Sequence, residues 1–214
     1  KALTVGAQEY HMDFSEGMDA GVSITGSATG MVSMRTKRMF TVRPGIKLEI
    51  SLIKDHRCSS HFIVLSKSKK YKWSWGEEKD TVKFVWNCEK KYLYAPEHVK
   101  STLCPAFGQY DVTIDVSDGK AYFADSECTE LEALHGFSQD DVFYVYIGAD
   151  QDTAGEKSRF TNFTIYENAE DEDRKMKYTL FSDSLGKPDL KLWTPPKIHH
   201  YSYGYKSKPG SQKN

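Results

Sequence analysis

"YDVTIDVSDGKAYF" (residues 110–123) carries the cleanest alternation in the chain. Tyr110, Val112, Ile114 and Val116 fall on one side of an extended strand, and Asp111, Thr113 and Asp115 on the other, because successive strand side chains point to opposite faces. Ser117-Asp118-Gly119-Lys120 then supplies turn residues, and "AYFAD" returns. The stretch predicts a β-hairpin with one buried face.

The same period recurs on both sides of it. "GVSITGSATGMVSM" (21–34) alternates small polar and apolar residues around glycines, and "KLEISLI" (47–53) sets Leu48, Ile50 and Leu52 against Glu49, Ser51 and Ile53. "TVKFVW" (81–86) groups Val82, Phe84 and Trp86, a pattern that places Trp86 in the core. "HFIVLS" (61–66) and "VFYVYIGA" (142–149) are apolar on both faces, as expected of strands covered on both sides. "RFTNFTIYE" (159–167) ends the series. "CTELEALHGF" (128–137) is the one segment that suits a helical turn or two, and no long amphipathic helix is present. Many short strands separated by turn signals predict an all-β sandwich or barrel.

The composition changes at "ENAEDEDRK" (167–175), an acidic run that reads as a solvated turn or linker. Residues 1–167 are therefore expected to form the sandwich. Residues 168–214 form a C-terminal extension packed on it, with two more short strands in "MKYTLF" and "DLKLW", a break at Pro195-Pro196, and mobile final residues.

Composition narrows the function. The 214 residues carry 29 lysines and arginines against 30 aspartates and glutamates, without the basic excess or stripe that nucleic-acid binding requires. No stretch approaches the about 20 apolar residues of a membrane helix, so membrane insertion is not expected. The chain opens at Lys1 with neither methionine nor apolar leader, which fits a processed chain or a fragment of a larger protein. Cys58, Cys88, Cys104 and Cys128 form no C-x-x-C pair, so structural zinc is not expected. An even count suits two disulfides, Cys58–Cys88 and Cys104–Cys128, and a secreted or cell-surface location; four reduced thiols are the alternative. The sequon Asn162-Phe163-Thr164 permits the same location.

"YKWSWGEE" (71–78) is the leading ligand-binding candidate. Trp73 and Trp75 share a face if the segment is extended, and Glu77 and Glu78 follow beside Gly76. Indole faces stack on flat ligands such as sugar rings, and carboxylates accept hydrogen bonds from hydroxyls. Tyr92 and Tyr94 in "KKYLYAP" alternate in the same way and extend the candidate surface. The competing assignment for each ring is core or rim packing. Asp150, Asp152 and Glu156 in "GADQDTAGEK" form a loose oxygen cluster. Calcium, which takes roughly six to eight oxygens, is the one candidate cofactor, and an ordinary polar loop is the alternative.

"GVSITGSATGMVSM" followed by "FTVRPGIKLEISLI" (40–53) and then "HFIVLS" is similar to the opening of concanavalin-A-like lectin and glucanase jelly rolls. "YDVTIDVSDGKAYF" resembles their Asp-Gly hairpin, and "VFYVYIGADQDTAGEKSRFTNFTI" (142–165) resembles their last strand pair. The resemblance covers roughly residues 13 to 167 and implies an antiparallel jelly-roll sandwich. "WGEE" (75–78) is similar to the galectin Trp-Gly-x-Glu, which implies that Trp75 stacks on a sugar and Glu78 accepts its hydroxyls. The galectin His-x-Asn-x-Arg triad and the glucanase Glu-x-Asp-x-x-Glu row are missing, and Lys83 stands on the strand where a carboxylate would be needed. A lyase would need a grouping such as His61, Tyr92 and Arg57. The expected activity is non-catalytic recognition of a glycan or glycoprotein. A protein-binding adhesion module and a polysaccharide-cleaving enzyme are the alternatives.

Overall fold

The computed structural model describes residues 12–15, 21–25, 30–54, 61–71, 80–87, 92–94, 101–103, 108–123, 131–132, 137–149, 157–171, 174–185 and 191–200. They form sixteen strands. The first eight are β1 (Met12–Ser15), β2 (Gly21–Thr25), β3 (Gly30–Arg35), β4 (Phe40–Thr41), β5 (Ile46–Lys54), β6 (His61–Ser66), β7 (Thr81–Asn87) and β8 (Tyr92–Tyr94). The rest are β9 (Ser101–Leu103), β10 (Gly108–Asp115), β11 (Lys120–Phe123), β12 (Leu131–Glu132), β13 (Val142–Ala149), β14 (Lys157–Asp171), β15 (Arg174–Asp183) and β16 (Lys197–His200).

Two antiparallel sheets of eight strands result. The first runs β1-β2-β14-β5-β10-β11-β12, with β15 beside β14; the second runs β16-β3-β13-β6-β7-β8-β9, with β4 beside β13. One apolar cluster takes side chains from both sheets, including Leu48, Ile50, Val112, Ile114 and Phe160 from the first and Ile63, Leu65, Phe84, Val145 and Ile147 from the second. Shared burial of one face of each sheet is what defines a β-sandwich. The arrangement is the antiparallel all-β sandwich that the strand rhythm predicts.

The hairpin of residues 110–123 is β10–β11, with Asp115 paired to Lys120. Gly119 takes φ +66° at the turn, a conformation glycine reaches without steric cost. Tyr110, Val112, Ile114 and Val116 are all buried, as are Leu48, Ile50 and Leu52 on the neighbouring β5. Every residue of β6 is buried, because its alternate side chains enter two different clusters. On β13, Gly148 stands so close to the Val32 carbonyl and the Phe62 ring that a methyl group would overlap both.

Strand β14 breaks the two-residue period. Phe160 and Phe163 are three apart, yet both are fully buried. A register shift against β5 between Thr161 and Thr164 reconciles them, with Asn162 at φ +54° and exposed. This is a β-bulge.

The segment read as a turn or linker mostly continues the first sheet. Glu167–Asp171 extend β14, and Asp171 pairs with Arg174 to begin β15. The helical turn expected over 128–137 is not found at Leu131–Glu132, which pair as β12 with Lys120–Ala121. "DLKLW" is likewise no strand where it is described: Lys191 and Leu192 form a turn, and Trp193 makes a single bridge to Thr36. Trp193 is fully buried, packs on Phe163 at 5.0 Å, and donates its indole N–H to Asp183 Oδ2 at 2.9 Å. His199 and His200 lie on β16, opposite Met31 and Gly30.

Candidate ligand-binding face

The second sheet has two differently used faces. Ile63 and Leu65 of β6 enter the sandwich core, whereas Phe62 and Val64 enter a smaller outer cluster with Tyr71 and Tyr146, flanked by Tyr144. The alternation along β6 and β13 is ordinary strand geometry. The unusual feature is that chain following β6 folds back over the outer face.

Tyr146 anchors that return. Its hydroxyl donates to the Ser68 carbonyl at 2.8 Å and accepts from the Tyr71 N–H at 3.4 Å. The two phenol rings lie 5.4 Å apart, inclined at 51°. Burial pushes the Tyr146 hydroxyl above the usual phenol pKa, so it stays a donor across the ordinary pH range.

Lys67 secures the same segment from the other side. Its ammonium meets Asp141 at 2.8 Å and Asp80 at 3.5 Å, and its backbone N–H donates to the Asp80 carbonyl. The Asp141 hydrogen bond holds Lys67 above the ordinary lysine value, and the Lys67 bond holds the Asp141 carboxyl below its own. Tyr71 and Asp80, at the two ends of the tryptophan-bearing segment, are thus both fixed to this sheet.

Arg35 extends the face across β3. Its guanidinium lies 4.6 Å from the Tyr144 ring centroid, and its Nη1 donates to the Thr36 carbonyl. A guanidinium over a phenol face is a cation–π contact. Tyr144 in turn points its hydroxyl at Met39 Sδ, 4.0 Å away, and Met39 is 52% exposed.

Several expected site residues lie outside the described residues: Trp73, Trp75, Glu77 and Glu78; Asp150, Asp152 and Glu156; and Cys58, Cys88, Cys104 and Cys128. Tyr92 and Tyr94 are on β8, opposite Asn87 and Val85 of β7 and Leu103 and Ser101 of β9. Trp86 is on β7, between His61 and Leu93. His61 is buried against Phe160 at 5.0 Å, and its Nε2 lies 3.0 Å from the carbonyls of Ile53 and Arg159. It therefore sits on the core side of β6, not on the outer face. Lys83 is fully buried on β7, opposite Val64.

Tyr71, Tyr144, Tyr146 and Arg35 were not singled out from the sequence. The available signal was the Tyr144/Tyr146 alternation in "VFYVYIGA", a strand already read as covered on both faces.

The outer face of the first sheet is polar and internally paired. Glu49 accepts from Tyr166 Oη at 2.7 Å and from Lys177 Nζ at 2.8 Å, and Lys177 also lies 3.7 Å from the Tyr166 ring centroid. Burial, then Glu49, holds the Tyr166 hydroxyl far above the usual phenol range. Asp115 pairs with Lys47, and Asp111 accepts from Ser51 and Gln109. Among the described residues no three of the His, Cys, Asp and Glu side chains gather as a metal site, and no helix is long and apolar enough to cross a membrane.

No family model and no curated protein matches the chain. Among solved structures, a legume lectin-like domain from Entamoeba histolytica is similar, with a TM-score of 0.41 at 11% identity, over 78% of this chain and 87% of that one.

Proposed function

We propose that the chain is a non-catalytic carbohydrate-recognition module acting outside the cell or at its surface. One observation carries this reading: Tyr71, seated on the outer face of the second sheet, leads within four residues to Trp73 and Trp75. On the same sheet the β8 register adds Tyr92 and Tyr94. Aromatic rings present flat apolar surface to the C–H faces of a sugar, while Glu77 and Glu78 accept from its hydroxyls. Such a shallow site binds each glycan weakly and gains strength from multivalency.

The test is a glycan array with the purified chain, run with and without a calcium chelator. Binding to a defined glycan class supports the reading, and loss in chelator that added calcium reverses would show a calcium requirement, for which Asp150, Asp152 and Glu156 are the candidate ligands. No binding at high protein concentration overturns it. Release of reducing sugar from a polysaccharide panel would instead establish a cleaving enzyme. A protein-binding adhesion module is the second reading. It is favoured by Met39 and Leu192, 52% and 37% exposed, on adjacent turns joined by the Lys37 N–H to Leu192 carbonyl bond at 2.7 Å.

A further inference from the structure

We propose that Asn162 carries an N-linked glycan in the protein as its own cell makes it. The inference rests on the extracellular reading above. Three observations meet at this residue. Asn162-Phe163-Thr164 has the acceptor pattern, with Phe rather than Pro in the middle. The β14 bulge keeps Phe160, Thr161 and Phe163 buried and turns Asn162 alone of these four residues outward. The Asn162 backbone N–H bonds to the Ser184 carbonyl at 3.3 Å, while no hydrogen bond among the described residues engages its side-chain amide.

A purely structural account explains part of this. Asparagine tolerates the left-handed conformation better than most residues, and threonine suits strands. That account does not require the amide to stand in solvent. Beside it, Thr164 Oγ1 lies 3.3 Å from Ser182 Oγ across the β14–β15 pair, and Ser182 and Ser184 are both exposed. These short side chains leave the amide clear, as an attached sugar requires.

The transfer is balanced with a polyprenyl-diphosphate-linked oligosaccharide as donor. Asn162 Nδ2 attacks the anomeric carbon, the C–O bond to the diphosphate breaks, and the lipid diphosphate leaves with that electron pair. Nδ2 gives up one proton to the transferase's base or to water, leaving a neutral N-glycosidic amide. No oxidant or reductant is involved. The modified residue is on the first sheet, across the sandwich from the candidate binding face, so glycan and ligand do not compete.

Peptide mapping of the protein isolated from its producing cells tests this. Peptide N-glycosidase in heavy-oxygen water should convert Asn162 to aspartate carrying the label in most molecules. Asn162→Asp keeps a residue that tolerates the bulge and should abolish the mass shift, as should Thr164→Ala, while Thr164→Ser retains part of it. Asn162→Asp should leave thermal unfolding and ligand binding unchanged. An unmodified Asn162 in molecules whose cysteines are disulfide-bonded overturns this proposal alone. An unmodified Asn162 in molecules with four free thiols overturns it together with the extracellular reading.

Discussion

The Tyr146 hydroxyl donates to the Ser68 carbonyl and accepts from the Tyr71 N–H, so a single side chain of β13 fixes the backbone that leads to the tryptophans. Tyr146→Phe keeps the buried ring and removes both bonds. A lost hydrogen bond with a buried partner costs about 1–3 kcal/mol. We expect an unfolding free energy lowered by an amount in that range, read as a lower urea midpoint with an unchanged m-value. The Tyr71 amide should exchange faster, and glycan affinity should fall although Tyr146 is largely covered. Unchanged exchange at Tyr71 would show that this segment is held by something else.

The Lys67–Asp141 pair sets a pH dependence. Asp141 titrates lower in the folded chain than its ordinary 3.8, so its stabilisation is complete above that value and fades as pH falls through the folded pKa. Lys67 titrates higher than its ordinary 10.5, so its share is complete below that value and fades as pH rises through the folded pKa. Asp141→Asn retains an oxygen for the Ser138 N–H, which Asp141 Oδ2 now accepts. Urea titrations of both proteins should differ by a constant amount between these limits and converge in acid. A difference that persists unchanged to the lowest measurable pH would assign the effect to another contact.

Residues 168–214 contribute β15 and Trp193 to the fold, so ending the chain at residue 167 should leave it unfolded. Removing a buried tryptophan alone costs about 3–5 kcal/mol, a large part of a typical domain's about 5–15 kcal/mol. Circular dichroism of the truncated chain and of Trp193→Ala tests this. A cooperative β transition in the truncated chain would show that residues up to 167 suffice.

Strand positions were legible because one-sided burial imposes the two-residue period directly, as at Leu48, Ile50 and Leu52. The β14 bulge was not, because "FTNF" satisfies the period only after an extra residue is inserted. The β12 segment looked helical because Leu131 and Glu132 suit a helix; pairing with Lys120 and Ala121 overrode that preference. Trp193 lay in a stretch read as a strand, and what fixes it is distant in sequence: Phe163, Phe181 and the Asp183 carboxylate. At the candidate face, the sequence pointed to the exposed-looking tryptophan segment. The supporting Tyr71–Tyr146 contact joins residues 75 apart and leaves no local pattern.

The strand pairings bear on the cysteines. His61 pairs with Trp86, three residues after Cys58 and two before Cys88. In the sequence Cys104 directly follows Leu103, the last residue of β9, and Cys128 stands three residues before Leu131, the first of β12. β9 and β12 are the terminal strands of their two sheets, at the ends opposite β16–β3 and β1–β2. The pairing proposed from the sequence is Cys58–Cys88 and Cys104–Cys128, and non-reducing peptide mapping should recover it. Reduction should lower stability by about 2–5 kcal/mol per bridge. Four free thiols would remove the chemical argument for an extracellular protein.

Trp73 and Trp75 decide between a binding surface and a core. If their rings face a sugar, Trp73→Ala with Trp75→Ala should abolish glycan binding and leave the unfolding free energy from urea titration within about 0.5 kcal/mol of the parent, the range for substitutions away from the core. If they are core, each truncation should cost about 3–5 kcal/mol and the double variant should not fold. Trp73→Phe and Trp75→Phe separate the cases further, since phenylalanine still offers a ring for stacking but not the full indole area. Graded weakening of affinity at constant stability is the outcome that fits sugar stacking. Loss of self-association without any glycan binding in the parent would assign the same two rings to a protein contact.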